Sequence, residues 1–138
     1  MIHYITTVNH SWSDVLSAAN KLHAISPGSV LIKQPTRLSH LEERKFGELL
    51  VKKHNKKPNA KYIVAATSEI AILYLCYAIR QRIFAPSQKI QDVFTDLTIG
   101  CVCNRDMDAT YNMRVDSFGE FLDIFPDKFF SERMELLF

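Results

Sequence analysis

The sequence predicts an α/β fold, and three observations carry that expectation. Val30 to Ile32 is a short apolar, β-branched run; residues 40–53 repeat apolar side chains at helical spacing; Tyr62 to Ala66 is apolar throughout. Strand, helix and strand in that order, with the second strand apolar on both faces, make a βαβ unit of a buried parallel sheet. In such sheets ligands bind beyond the carboxyl ends of the strands. Lys33-Gln34 and Thr67-Ser68-Glu69 stand at those two ends, so chemistry is expected there.

Composition narrows the class. A chain of 138 residues suits one domain, with enough length to bury about two thirds of its unfolded surface. The expected organisation is a single domain over 1–138, with a βαβ core in residues 1–84 and a small part rich in strands and helix in 85–138 packed on it. The longest apolar stretch, Ile70 to Ile79, is shorter than the roughly 20 residues a membrane span needs, so no membrane association is expected. Met1-Ile2-His3-Tyr4 offers no basic n-region, and a secretory signal is not expected. The expected location is cytoplasmic. Three cysteines suit a reducing compartment better than a disulfide framework. Cys101 and Cys103, two apart in a β-like run, point to one face as buried thiols; a metal or redox role would need further ligands at a recognisable spacing. A net charge of +2 does not by itself imply nucleic acid, which only a local cluster could do.

Taken in order, residues 1–8 alternate loosely and suit a short strand or an extended entry. Ser13-Asp14 offers an N-cap for a helix carrying Val15, Leu16, Ala19, Leu22 and His23, stopped at Ser26-Pro27-Gly28. Ser29 to Ile32 forms a strand ended by Pro35. From about His40 to Lys53, Leu41, Phe46, Leu49 and Leu50 share a face opposite Glu42, Glu43, Arg44, Lys45 and Glu48. Asn55 to Asn59, with Pro58, ends that helix. Tyr62 to Ala66 is the second strand, and Ser68 or Thr67 caps a helix from about Glu69 to Arg82 that is apolar nearly all round and therefore buried. Ala85-Pro86-Ser87 breaks the pattern. Asp92 to Phe94, Leu97 to Cys103 and Thr110 to Val115 read as strands, with a turn at Asn104-Arg105-Asp106. A helix or pair of helical turns rich in phenylalanine is expected over Phe118 to Phe138.

The short motifs stand in a familiar order. Asn9-His10-Ser11-Trp12-Ser13-Asp14-Val15-Leu16, Pro27-Gly28-Ser29-Val30-Leu31-Ile32-Lys33-Gln34-Pro35, Phe46-Gly47-Glu48-Leu49-Leu50 and Tyr62-Ile63-Val64-Ala65-Ala66-Thr67-Ser68-Glu69 resemble the C-terminal lobe of ABC/SMC-like AAA ATPases. These are the RecF- and OLD-like group common in bacterial antiviral defence systems. Asp116-Ser117-Phe118-Gly119-Glu120, Phe125-Pro126 and Phe129-Phe130-Ser131-Glu132 resemble the C-terminal segment of one subgroup, so the resemblance covers most of the chain. It implies a truncated P-loop-ATPase-like C-terminal lobe in which residues 1–84 are the βαβ core.

The departures from that pattern point away from catalysis. No GxxxxGK[ST] loop occurs in these 138 residues, which leaves no phosphate cradle. Lys33 stands where the family has the acidic residue that holds Mg²⁺, Gln34 where many relatives place the glutamate that polarises water, and Thr67 where the switch histidine would be; Glu69 matches the following glutamate. Asn9 and Asp14 replace a glycine and a glutamine of the signature segment. Lys33, Gln34, Thr67 and Glu69 are thus degenerate nucleotide-site positions, with no catalytic residue, cofactor or metal expected, because phosphoryl transfer rests on positioning and charge.

Each feature also has a plainer account. Lys33 is either a working cation or a residue released from chemical demand. Glu69 complements a helix dipole whatever its ancestry. Trp12 and His10 either pack or meet a partner. Lys52, Lys53, Lys56, Lys57 and Lys61 are either a solvated helix end or a nucleic-acid contact. The phenylalanines at 118, 121, 125, 129, 130 and 138 either close the core or form a docking edge. The expected function is a pseudo-ATPase that acts by protein–protein binding, with a related ATPase or by self-association into an oligomer. A nucleic-acid-associated protein using the lysine cluster is the alternative, and an enzyme built around Asp106, Asp108 or Glu69 is the third. An exposed sheet edge or apolar face is expected near residues 1–8 and the Val30 strand.

Overall fold

A computed structural model describes residues 1–7, 12–35, 38–84, 94–102, 110–116 and 118–120. The elements are β1 (Ile2–Thr7), α1 (Trp12–Ala24), β2 (Val30–Lys33), α2 (His40–Lys56), β3 (Tyr62–Ala65), α3 (Glu69–Arg80), β4 (Phe94–Val102) and β5 (Thr110–Asp116). They form an α/β fold around one mixed sheet in the order β2-β3-β1-β4-β5. The first four strands are parallel, and β5 returns antiparallel to β4.

The sheet is covered on both faces. Ile5, Ile63 and Ala65 pack against Val15 and Ala19 of α1 on one side. On the other, Ile2, Tyr4, Val64, Leu97 and Ile99 meet α2 and α3. The α3 sequence EIAILYLCYAIR buries seven of its side chains, as its nearly continuous apolar circumference requires. Ser68 caps α3, its hydroxyl accepting from the Ala71 N–H at 3.1 Å. Ser39 and Glu42 form a capping box at the start of α2, so that two otherwise orphaned N–H groups are satisfied reciprocally. Gly47 lets the two helices approach: a Cβ there would lie 3.0–3.2 Å from Tyr74 and the Ala71 carbonyl.

Strand placement departs from the sequence expectations in two ways and meets them in one. The first segment is not an edge: β1 is the central strand, flanked by β3 and β4. Its side chains enter both cores, and it carries no formal charge, which is what a strand covered on both faces tolerates. The Val30 strand, also expected at an edge, is one among the described residues, with Val30 48% exposed and β3 its described neighbour. The two short runs expected around 92–94 and 97–103 are one strand from Phe94 to Val102, with a register irregularity between Phe94 and Thr98. The turn at 104–106, Asp92, Cys103, Asp106, Asp108 and residues 8–11 lie outside the described residues, as does the helix expected over Phe118 to Phe138 except for 118–120, which form a turn and not helix. No helix among the described residues is long and apolar enough to cross a membrane.

The turn after β5 shows what Asp116-x-x-Gly119 does locally. The Asp116 carboxylate accepts from the Phe118 and Glu120 N–H groups at 2.8 and 3.0 Å. Gly119 takes φ +77°, and a Cβ on it would overlap the Cys76 carbonyl oxygen of α3. This close approach seats the turn on α3 and helps bury it.

Candidate site at the carboxyl ends of the strands

Lys33, Gln34, Thr67 and Glu69 do converge at one end of the sheet, because β2 and β3 are parallel neighbours with Lys33 opposite Ala65. Gln34 N–H donates to the Ala65 carbonyl at 2.8 Å. Its side-chain Oε1 then accepts from both the Thr67 and Ser68 N–H groups, each at 3.0 Å. The carboxamide therefore bridges the end of β2 to the entry of α3. Beneath it, the buried Tyr4 hydroxyl donates to the Ser68 carbonyl at 2.8 Å, and burial holds that phenol well above its ordinary pKa.

This arrangement decides what the site can do. The N-terminus of a helix attracts anions through its free N–H groups; here Gln34 takes the Thr67 and Ser68 amides just before α3, and Ser68 takes the Ala71 amide of its first turn. A carboxamide accepts hydrogen bonds and cannot act as a base at neutral pH. Lys33 is exposed, Thr67 is exposed and Glu69 is half-buried in the first turn of α3. Among the described residues no three histidine, cysteine, aspartate or glutamate side chains gather as a metal site. Cys76 is buried, and burial pushes its thiol up to about 12, so it stays protonated and unreactive at neutral pH.

The lysine cluster lies at the opposite end of the molecule, and Lys61 differs from the other four in having a side-chain hydrogen-bond partner among the described residues. Lys52, Lys53, Lys56 and Lys57 are exposed around the end of α2, roughly 25 Å along that helix from its start. Lys61 is half-buried, and its ammonium donates to the Ser26 hydroxyl at 3.2 Å. That hydroxyl belongs to a brace of the α1–β2 turn. The Ser29 hydroxyl donates to the Ser26 carbonyl at 2.7 Å, so it accepts from His23 Nδ1 at 2.9 Å, which assigns the proton of a neutral His23 to Nδ1. Nearby His3 is lowered to about 4, by burial first and by the Lys61 charge second.

Two residues without a sequence signal of function turn out to hold this end together. His54 is fully buried, stacks on Phe84 with ring centroids 3.9 Å apart, and places Nδ1 3.5 Å from Met1 N. Its position four after Leu50 and three after Val51 puts it on the apolar face of α2, a signal that would have found it. Asn55 donates to the Ile83 carbonyl at 2.7 Å. With the geometry set out, comparison adds no relative: no protein-family model, curated protein or solved structure matches the chain.

Proposed function

We propose that this chain is a non-catalytic, ATPase-head-like protein, a truncated P-loop-ATPase-like C-terminal lobe that acts by binding another protein. Its role is that of a subunit or regulator of a larger ATPase or defence complex in the cytoplasm. The observation that supports this is the Gln34 bridge. At the position where a nucleotide-binding relative needs a base, a neutral carboxamide is committed to the backbone of Thr67 and Ser68, beside the exposed Lys33 cation. Residues kept for chemistry point into an open site; this one points into its own chain. Calorimetry with Mg-ATP should give no binding heat, and affinity purification from the native host should recover a P-loop ATPase. Micromolar Mg-ATP affinity, or recovery without any ATPase, would overturn the proposal.

The second reading, contact with nucleic acid, is favoured by the four exposed lysines at 52, 53, 56 and 57, none of which forms an ion pair among the described residues. A salt-dependent electrophoretic shift with DNA or RNA, lost when all four become glutamine, would establish it in place of protein binding.

A further inference from the structure

Phe46, Gly47, Leu50, Val51 and His54 bury one side of α2, which leaves the opposite side to solvent. At 3.6 residues per turn, Leu41, Lys45, Leu49, Lys52 and Lys56 fall within a stripe about 80° wide on that open side. All five are exposed, Leu41 by 63% and Leu49 by 45%. Single exposed leucines need no explanation. Leu49, however, also lines a groove of about 250 Å³ with Pro35, Leu38 and Phe46, and the remaining lining residues are Glu42 and Lys45.

Two of the acids of this region are held within α2 and its cap. Glu42 closes the capping box, accepting from the Ser39 N–H at 3.4 Å, and Glu48 lies 3.6 Å from Arg44. Lys45 at the groove and Lys52 and Lys56 beyond it on the same stripe outnumber the Glu42 carboxylate at its other end, and the three cations span about 16 Å or three helical turns. A nucleic-acid strand would satisfy the cations yet gain little from the leucines, since base stacking calls for aromatic or guanidinium surfaces. A helix with an apolar stripe and acidic flanks satisfies both.

We propose that this face of α2 binds an acidic amphipathic helix of a partner protein, one apolar side chain entering the groove at Leu49 and carboxylates meeting Lys45, Lys52 and Lys56. The inference rests on the protein-binding function proposed above and names the surface that performs it. Charge complementarity steers the encounter, and the desolvated apolar anchor holds the complex.

The test uses the full chain and two fluorescein-labelled peptides of one composition, leucine and glutamate. In one the leucines form a single helical stripe; in the other they are spread around the helix. The striped peptide should bind at micromolar concentration, the spread one about tenfold more weakly. Leu49→Gln and the pair Lys52→Gln with Lys56→Gln should each weaken binding about fivefold or more, and their exposed positions leave the melting temperature in place. Amide shift changes should be confined to residues 35–56. Equal binding of both peptides, or saturable binding of neither, overturns the proposal. So does any of three other occupants: a dimer abolished by Leu49→Gln in sedimentation, phosphatidylserine vesicles bound through Leu49, or DNA bound through the lysines alone. If neither peptide binds while an ATPase still co-purifies and Mg-ATP still gives no heat, this surface fails and protein binding by the chain stands.

Discussion

α2 and α3 lie side by side on the same face of the sheet, yet they solve different problems. α3 is covered on most sides: the sheet lies under it, α2 beside it, and the Gly119 turn is seated over Cys76, while Ile70, Tyr74 and Tyr77 keep partial contact with solvent. α2 is half in water, with five buried residues among seventeen against seven among twelve in α3. The difference teaches that α3 serves mainly as scaffold, while the outer face of α2 is left to solvent. The loop that enters α3 follows the same rule, because its amides are consumed by Gln34 and Ser68.

The largest effect expected comes from breaking the cover of α3. Gly119→Ala would force a Cβ onto the Cys76 carbonyl at a backbone φ of +77°, and should cost about 3 kcal/mol or more, since strain and overlap add. Urea unfolding checks it, and a loss below about 1 kcal/mol would show that the turn moves away easily and that α3 does not depend on it.

Next, truncating one leucine in each helix sharpens the contrast. Leu75 is fully buried and Leu49 is 45% exposed. Leu75→Ala should lower stability by about 3 kcal/mol through transfer and cavity terms, whereas Leu49→Ala should stay within about 1 kcal/mol. Equal losses in chemical denaturation would mean that α2 is scaffold as well.

A smaller effect than the Leu75 truncation is expected at the bridge into α3. Gln34→Ala leaves the Thr67 and Ser68 amides without their acceptor and should cost about 1–2 kcal/mol. Gln34→Glu keeps an acceptor, adds a charge that the α3 N-terminus favours, and should be nearly neutral. Faster hydrogen exchange at residues 67–71 in the alanine variant alone would locate the change. If the glutamate variant also gained Mg-ATP binding, the bridge would be a nucleotide site in disguise.

Local pattern carried much of this molecule. Tyr62 to Ala65 reads as a strand apolar on both faces and is buried at all four positions. The all-round apolar α3 is buried as its composition demands, and Ser68 caps it. The SHLE run at residues 39–42 held a capping box that could have been read directly from its spacing. Such features depend on neighbours within a few residues, where period and side-chain chemistry are sufficient.

Tertiary structure alone decided the rest, because strand order and side-chain partners arise from contacts between residues far apart in sequence. Ile2 to Thr7 and Val30 to Lys33 are both short, largely apolar runs, yet pairing with β3 and β4 made the first central while the second lies at the edge among the described strands. Gln34 looked like a lost base, and only the approach of residues 67 and 68, more than thirty positions on, gave its carboxamide two amides to accept. Lys61 looked like the fifth lysine of a cluster until the α1–β2 turn brought Ser26 to its ammonium. Each outcome depends on the register of parallel strands joined by helices, which no window of neighbouring residues contains.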